Sequence, residues 1–170
     1  ASPLLICGSW PEGRETAYRE TLSNADIILA LNVFAHVDDL HAFTAAVKQA
    51  LAPGGTFIVE VGYLLDVIER GHFDTVYHEH LSYHTVKPLA AFFDRHGLRI
   101  EKVLPIESQG GSVRLYVKHA NELPWFDTIG EEGCDASTLR AIIDTRAPAL
   151  AEGFAKLVKR GEVICGYGAP

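Results

Sequence analysis

Two near-continuous apolar runs, ADIILALN at 25–32 and TFIVEVGY at 56–63, constrain this chain more than any other feature. A strand covered on both faces reads as a run, whereas a half-exposed strand alternates. Between the runs, Leu40, Phe43, Ala46, Val47, Ala50 and Leu51 recur at helical spacing. Asp38 and Asp39 are placed to cap that helix, and Pro53-Gly54-Gly55 to stop it. Strand, helix and strand in about 38 residues is the length of a right-handed crossover unit, so the centre of the chain predicts a parallel pair in an α/β sheet.

Other segments fit around this unit. LLICGSW predicts a short strand, and 14–23 an exposed helix. Lys87 to His96 predicts an amphipathic helix with Gly97 as its left-handed terminator. LRIEKVLPI and SVRLYVKHA alternate about the turn ESQGG and predict a late antiparallel hairpin at the sheet edge. The expected fold is a mixed, mostly parallel α/β sheet. Beyond it, a polar linker over 122–133 precedes a long helix from about Ser137 to Arg160, kinked at Pro148. GEVICGYGAP predicts a fresh strand and glycine turn. The domain reading is a partial α/β domain over 1–121, linker and helix over 122–160, and the start of a further α/β unit, cut short, over 161–170.

The stretch FDTVYHEHLSYH, 73–84, holds three of the chain's eight histidines. Three readings compete. A metal site would use His80 and His84, four apart, with His78 and Glu79 nearby, but the HExxH order is missing. A hydrogen-bonded loop of aromatics and histidines is the plain alternative. Acid/base chemistry is the third, because imidazole titrates near neutrality and a carboxylate or phenol can orient it. Position favours the third: the stretch follows the carboxyl end of the second apolar run by one short helix, and Asn32 and His36 follow the first, where open α/β sheets bind ligands. Gly110-Gly111 reads as a hairpin turn or as a place of close backbone approach to a ligand.

Composition narrows the classes. A formal charge of −7 without a Lys/Arg run argues against a nucleic-acid binder. Cys7, Cys134 and Cys165 are scattered and form neither a disulfide framework nor a zinc ribbon, which fits a reducing cytoplasm. No apolar run reaches the roughly 18 to 20 residues of a membrane span, and ASPLLICGSW lacks the form of a signal peptide.

From about Ala25 onward, ADIILALNVFAHVDDL, APGGTFIVEV, FDTVYHEHLSYH, QGGSVRLY and GYGAP together resemble the S-adenosylmethionine-dependent C-methyltransferases of nucleotide-linked deoxysugars. The resemblance implies a class I methyltransferase fold that is Rossmann-like, and methyl transfer to the carbon beside the ketone of a nucleotide-linked keto sugar. His80 matches the general base, Tyr77 and Glu79 its partners, and His36 a second imidazole near the ketone. Asn32 matches a cofactor-facing strand end, and His78, Gly110 and Gly111 fall to the substrate side. No metal is implied. Family members also carry a cysteine-rich zinc domain and a glycine-rich cofactor loop, and no G-x-G-x-G precedes Asp26. The resemblance therefore implies the middle of a longer protein, binding cofactor weakly by itself and self-associating through an exposed sheet edge. The reading from another class is a non-catalytic α/β binding module that lost the cofactor loop.

Overall fold

The computed structural model describes residues 24–124, 131 and 136–165. The LLICGSW strand, the 14–23 helix, most of the 122–133 linker and GYGAP lie outside them. Among the described residues, β1 (Ala25–Leu31), β2 (Leu51–Gly62), β3 (Leu98–Ile106) and β4 (Ser112–His119) form one sheet in the order β1-β2-β4-β3. β1 and β2 are parallel; β4 runs antiparallel to both β2 and β3. The crossover unit and the late hairpin are thus both present, and the hairpin's second strand lies inside its first. Of the three described strand pairs one is parallel.

The crossover helix is α1 (Leu40–Ala50), capped by the Asp39 carboxylate, which accepts the Ala42 N–H at 2.9 Å. It ends earlier than the glycines suggested: Leu51 is already extended and pairs with Ala25. Ala52 precedes a proline and is driven from helical geometry, so the strand begins before Pro53 rather than after it. Five residues of β2 then oppose two of β1, because the register passes from Ala25–Leu51 to Ile27–Thr56. Gly54, with φ +76°, takes up the excess.

Cross-strand rows explain the core. Ile28, Phe57, Val117 and Ile100 lie side by side across the four strands, followed by Ala30, Val59, Leu115 and Val103. Phe43 and Val47 of α1 and Leu89 and Phe93 of α3 (Val86–Arg95) belong to the same buried cluster. The Phe57 ring lies 6.4 Å from that of Phe43 and 6.2 Å from that of Phe93. Burying each such ring contributes about 2 to 3 kcal/mol. The alternate residues Ile27, Leu29 and Leu31 are exposed.

Two further helices complete the described chain. α2 (Leu64–Arg70) leaves β2 directly, and α4 (Ala136–Lys159) lies against its end, where Arg146 donates to the carbonyls of Arg70 and Gly71. Pro148 sits within α4, whose later apolar residues Leu150, Phe154 and Val158 are exposed. The strand expected from Gly161 does not form over the described residues up to Cys165, and Val163 is 89% exposed. Apolar content alone does not make a strand: without a neighbour its N–H and C=O groups gain no ladder.

Candidate active site

The carboxyl ends of β1 and β2 gather most of the residues singled out in the sequence. Past β1, a short 3-10 turn, Phe34–His36, is anchored by Phe34, which is fully buried among Phe43, Phe92, Phe93 and the His84 ring. The Ala35 carbonyl accepts the N–H groups of Leu81 and Ser82, at 2.9 and 3.3 Å. That clasp draws the 73–84 loop onto the turn. His36 and His80 consequently meet, with ring centroids 5.0 Å apart.

His80 is held at both nitrogens. Nδ1 lies 2.8 Å from the Thr75 carbonyl oxygen, and Nε2 lies 3.2 Å from the Tyr77 hydroxyl. A carbonyl only accepts, so the proton of the neutral ring sits on Nδ1 and the Nε2 lone pair accepts from Tyr77. Tyr77 packs beside the same ring at 4.3 Å between centroids. Its hydroxyl can reverse its role and accept from an imidazolium, so it serves both charge states. Tyr83 donates to the Thr75 carbonyl at 3.2 Å, and partial burial raises its phenol above the ordinary value.

The other histidines separate by environment. His84 is 8% exposed, bonded at Nε2 to the Ser82 hydroxyl at 2.9 Å, and burial pushes its pKa down to about 4. It is neutral at physiological pH and bridges the loop to Tyr63 after β2. His78 is exposed beside the Tyr77 ring. Glu79 is exposed on the Tyr77–His80 turn and, among the described residues, makes no hydrogen bond or ion pair with the His80 ring. Among the described residues no group of three His, Cys, Asp or Glu side chains could hold a metal ion.

Asn32 ends β1 in the left-handed region, φ +54°, unusual for a residue other than glycine. Its N–H donates to the Glu60 carbonyl at 2.9 Å, and its side-chain Nδ2 faces the Glu60 carboxylate at 3.4 Å. Gly110 and Gly111 form the turn into β4. Arg70 donates to the Gly110 carbonyl at 3.0 Å, and the Gly111 carbonyl accepts the Tyr63 N–H at 3.1 Å. A Cβ on Gly111 would stand 2.5 Å from the Asp66 carboxylate, so close packing against this chain itself accounts for that glycine.

Sequence reasoning missed Thr75, whose contribution is a backbone carbonyl and leaves no mark in residue identity. It also missed Glu60, although a lone acid inside the apolar run FIVEV was a visible signal.

A family model described as a methyltransferase domain matches residues 10–103, more than half of the chain. The chain therefore belongs to the methyltransferase family, and S-adenosylmethionine is the cofactor of that class. Over 182 aligned residues it is 32% identical to the C-methyltransferase NovU of Streptomyces niveus, covering 93% of this chain and 40% of that protein. The chain thus spans 40% of the length of this curated relative. Similar solved structures include the mitomycin 7-O-methyltransferase MmcR, with a TM-score of 0.48, 19% identity, and coverage of 61% of this chain and 32% of that one. Another is the magnesium protoporphyrin IX methyltransferase of Synechocystis, with a TM-score of 0.43, 13% identity, and coverage of 56% and 45%. Among the described residues no helix is long and apolar enough to cross a membrane.

Proposed function

We propose that this chain carries the base-bearing part of a C-methyltransferase that alkylates the carbon beside the ketone of a nucleotide-linked keto-deoxysugar. The observation that carries the reading is the state of His80: its Nδ1 is committed to the Thr75 carbonyl, which leaves Nε2 as the basic nitrogen. A ring fixed in one tautomer and placed at a strand end is prepared to take a proton. Likeness to NovU, whose name states C-methylation, supports the reaction type.

The proposed roles combine the family resemblance with the contacts described above. His80 Nε2 removes the proton beside the ketone, and Tyr77 accepts a hydrogen bond from the imidazolium that results. His36, beside His80, donates to the ketone oxygen as it gains charge, which lowers the barrier to enolate formation. Glu79, next in sequence, is the carboxylate that the family resemblance pairs with His80. The family resemblance assigns His78, Gly110 and Gly111 to the substrate side.

Cofactor chemistry fits the residues present. S-adenosylmethionine, when bound, supplies a methyl group made electrophilic by a cationic sulfur. A cation suits the carboxyl end of β1, where Asn32 retains its Oδ1 as an acceptor because Nδ2 faces Glu60. In a full-length protein, His80→Asn is expected to lower methyl transfer by about 10²- to 10⁴-fold, the usual weight of a positioned base. Unchanged turnover would remove His80 from the mechanism.

A further inference from the structure

Glu60 is a buried carboxylate that touches none of the reacting groups in the proposed chemistry. It is 4% exposed and lies opposite Arg114 in the β2–β4 register. Its Oε2 accepts two bonds from that guanidinium, from Nε at 3.0 Å and Nη2 at 2.7 Å. Its Oε1 faces Asn32 Nδ2 at 3.4 Å, while its backbone carbonyl accepts the Asn32 N–H. One residue therefore grips both the main chain and the side chain of a left-handed asparagine. Left-handed backbone at a non-glycine residue persists where the surroundings hold it.

We propose that Glu60, held by Arg114, is a positioning residue that sets which end of the Asn32 amide is presented to the cationic methyl donor. A carboxylate only accepts, so it selects the NH₂ end of the amide and turns Oδ1 away from itself. Arg114 only donates, and by occupying Oε2 it leaves Oε1 for Asn32. The acceptor presented at the end of β1 is thus determined by a charge pair on β2 and β4. This rests on the cofactor reading of Asn32.

The pair makes a test that separates positioning from simple support. In Glu60→Gln, Arg114 still offers only donors, so the new amide turns its oxygen to the guanidinium and its NH₂ to Asn32. Asn32 must then turn over and present a donor to a cation. In Glu60→Gln/Arg114→Met the competing donors are gone, and the new amide can again offer its oxygen to Asn32.

The measurement is NMR on the full chain, following the Asn32 side-chain amide resonance with and without titrated S-adenosylmethionine. Glu60→Gln is expected to move that resonance and to weaken binding about tenfold, the scale of a hydrogen bond to a charged group. The double variant is expected to return both toward wild type. Arg114→Met alone keeps the carboxylate and should leave the amide resonance in place, which serves if the single glutamine variant does not fold. A double variant no better than Glu60→Gln, or a Glu60→Gln chain that binds as wild type does, overturns the positioning role. Wild-type chain whose resonances do not respond to S-adenosylmethionine overturns the cofactor reading itself, and this proposal with it.

Discussion

The imidazoles of His36 and His80 stand with centroids 5.0 Å apart, although α1, β2 and α2 lie between them in the chain. Their meeting depends on the Ala35 carbonyl, which receives two N–H groups of the 73–84 loop, and on the buried Phe34 ring beneath.

The Thr75 carbonyl fixes the position of the proton on the neutral His80 ring. Nitrogen-15 spectra of the folded chain near neutral pH should show Nδ1 protonated and Nε2 bare in the neutral ring, since Thr75 offers only an acceptor. Tyr77→Phe removes the donor to Nε2 and should shift that nitrogen without changing the tautomer. The opposite tautomer in the wild-type chain would contradict the assignment of Nε2 as base.

His84 predicts a pH dependence of stability. Burial lowers its folded pKa from 6.5 to about 4, so the unfolded chain binds a proton that the folded chain refuses between those values. The contribution is fully present above about pH 6.5 and is lost as pH falls toward 4, amounting to about 3 kcal/mol at most. Urea titrations across this interval should yield a slope that is reduced in His84→Asn. Equal slopes would place the acid sensitivity elsewhere.

Gly111 has φ +130° and no room for a methyl group beside Asp66. Gly111→Ala is expected to cost about 2 kcal/mol or more, from backbone strain together with the clash. Chemical denaturation measures it. A loss below half that figure would mean that Asp66 moves aside freely.

Ile27 and Leu29 of β1 are 63% and 53% exposed, and β1 is an outermost strand among the described residues. Apolar edge strands invite pairing between chains, so light scattering should detect concentration-dependent association that Leu29→Lys suppresses. A concentration-independent monomer would exclude this edge as a contact.

The hairpin, the crossover unit and the caps were legible in the sequence because each is written within a few residues. Alternation marks β3 and β4, Asp39 marks the start of α1, and Gly97, with φ +69°, marks the end of α3. The end of α1 and the segment after Gly161 were not legible. One was decided by pairing of Leu51 with Ala25, the other by the lack of a described neighbour for an apolar stretch.

The candidate site divides the same way. Residue types and their position past two strand ends were enough to single out Asn32, His36 and the 73–84 cluster, which the family resemblance narrowed to His80 with Tyr77 and Glu79. The environment of each imidazole was a tertiary decision. His84 is buried to neutrality by Phe34, and His80 receives its tautomer from a backbone carbonyl that no side-chain pattern records. Sequence by itself determined which groups were available, because chemistry resides in side chains. Only the fold decided their protonation, partners and reach, because those depend on burial and on hydrogen bonds between segments distant in the chain.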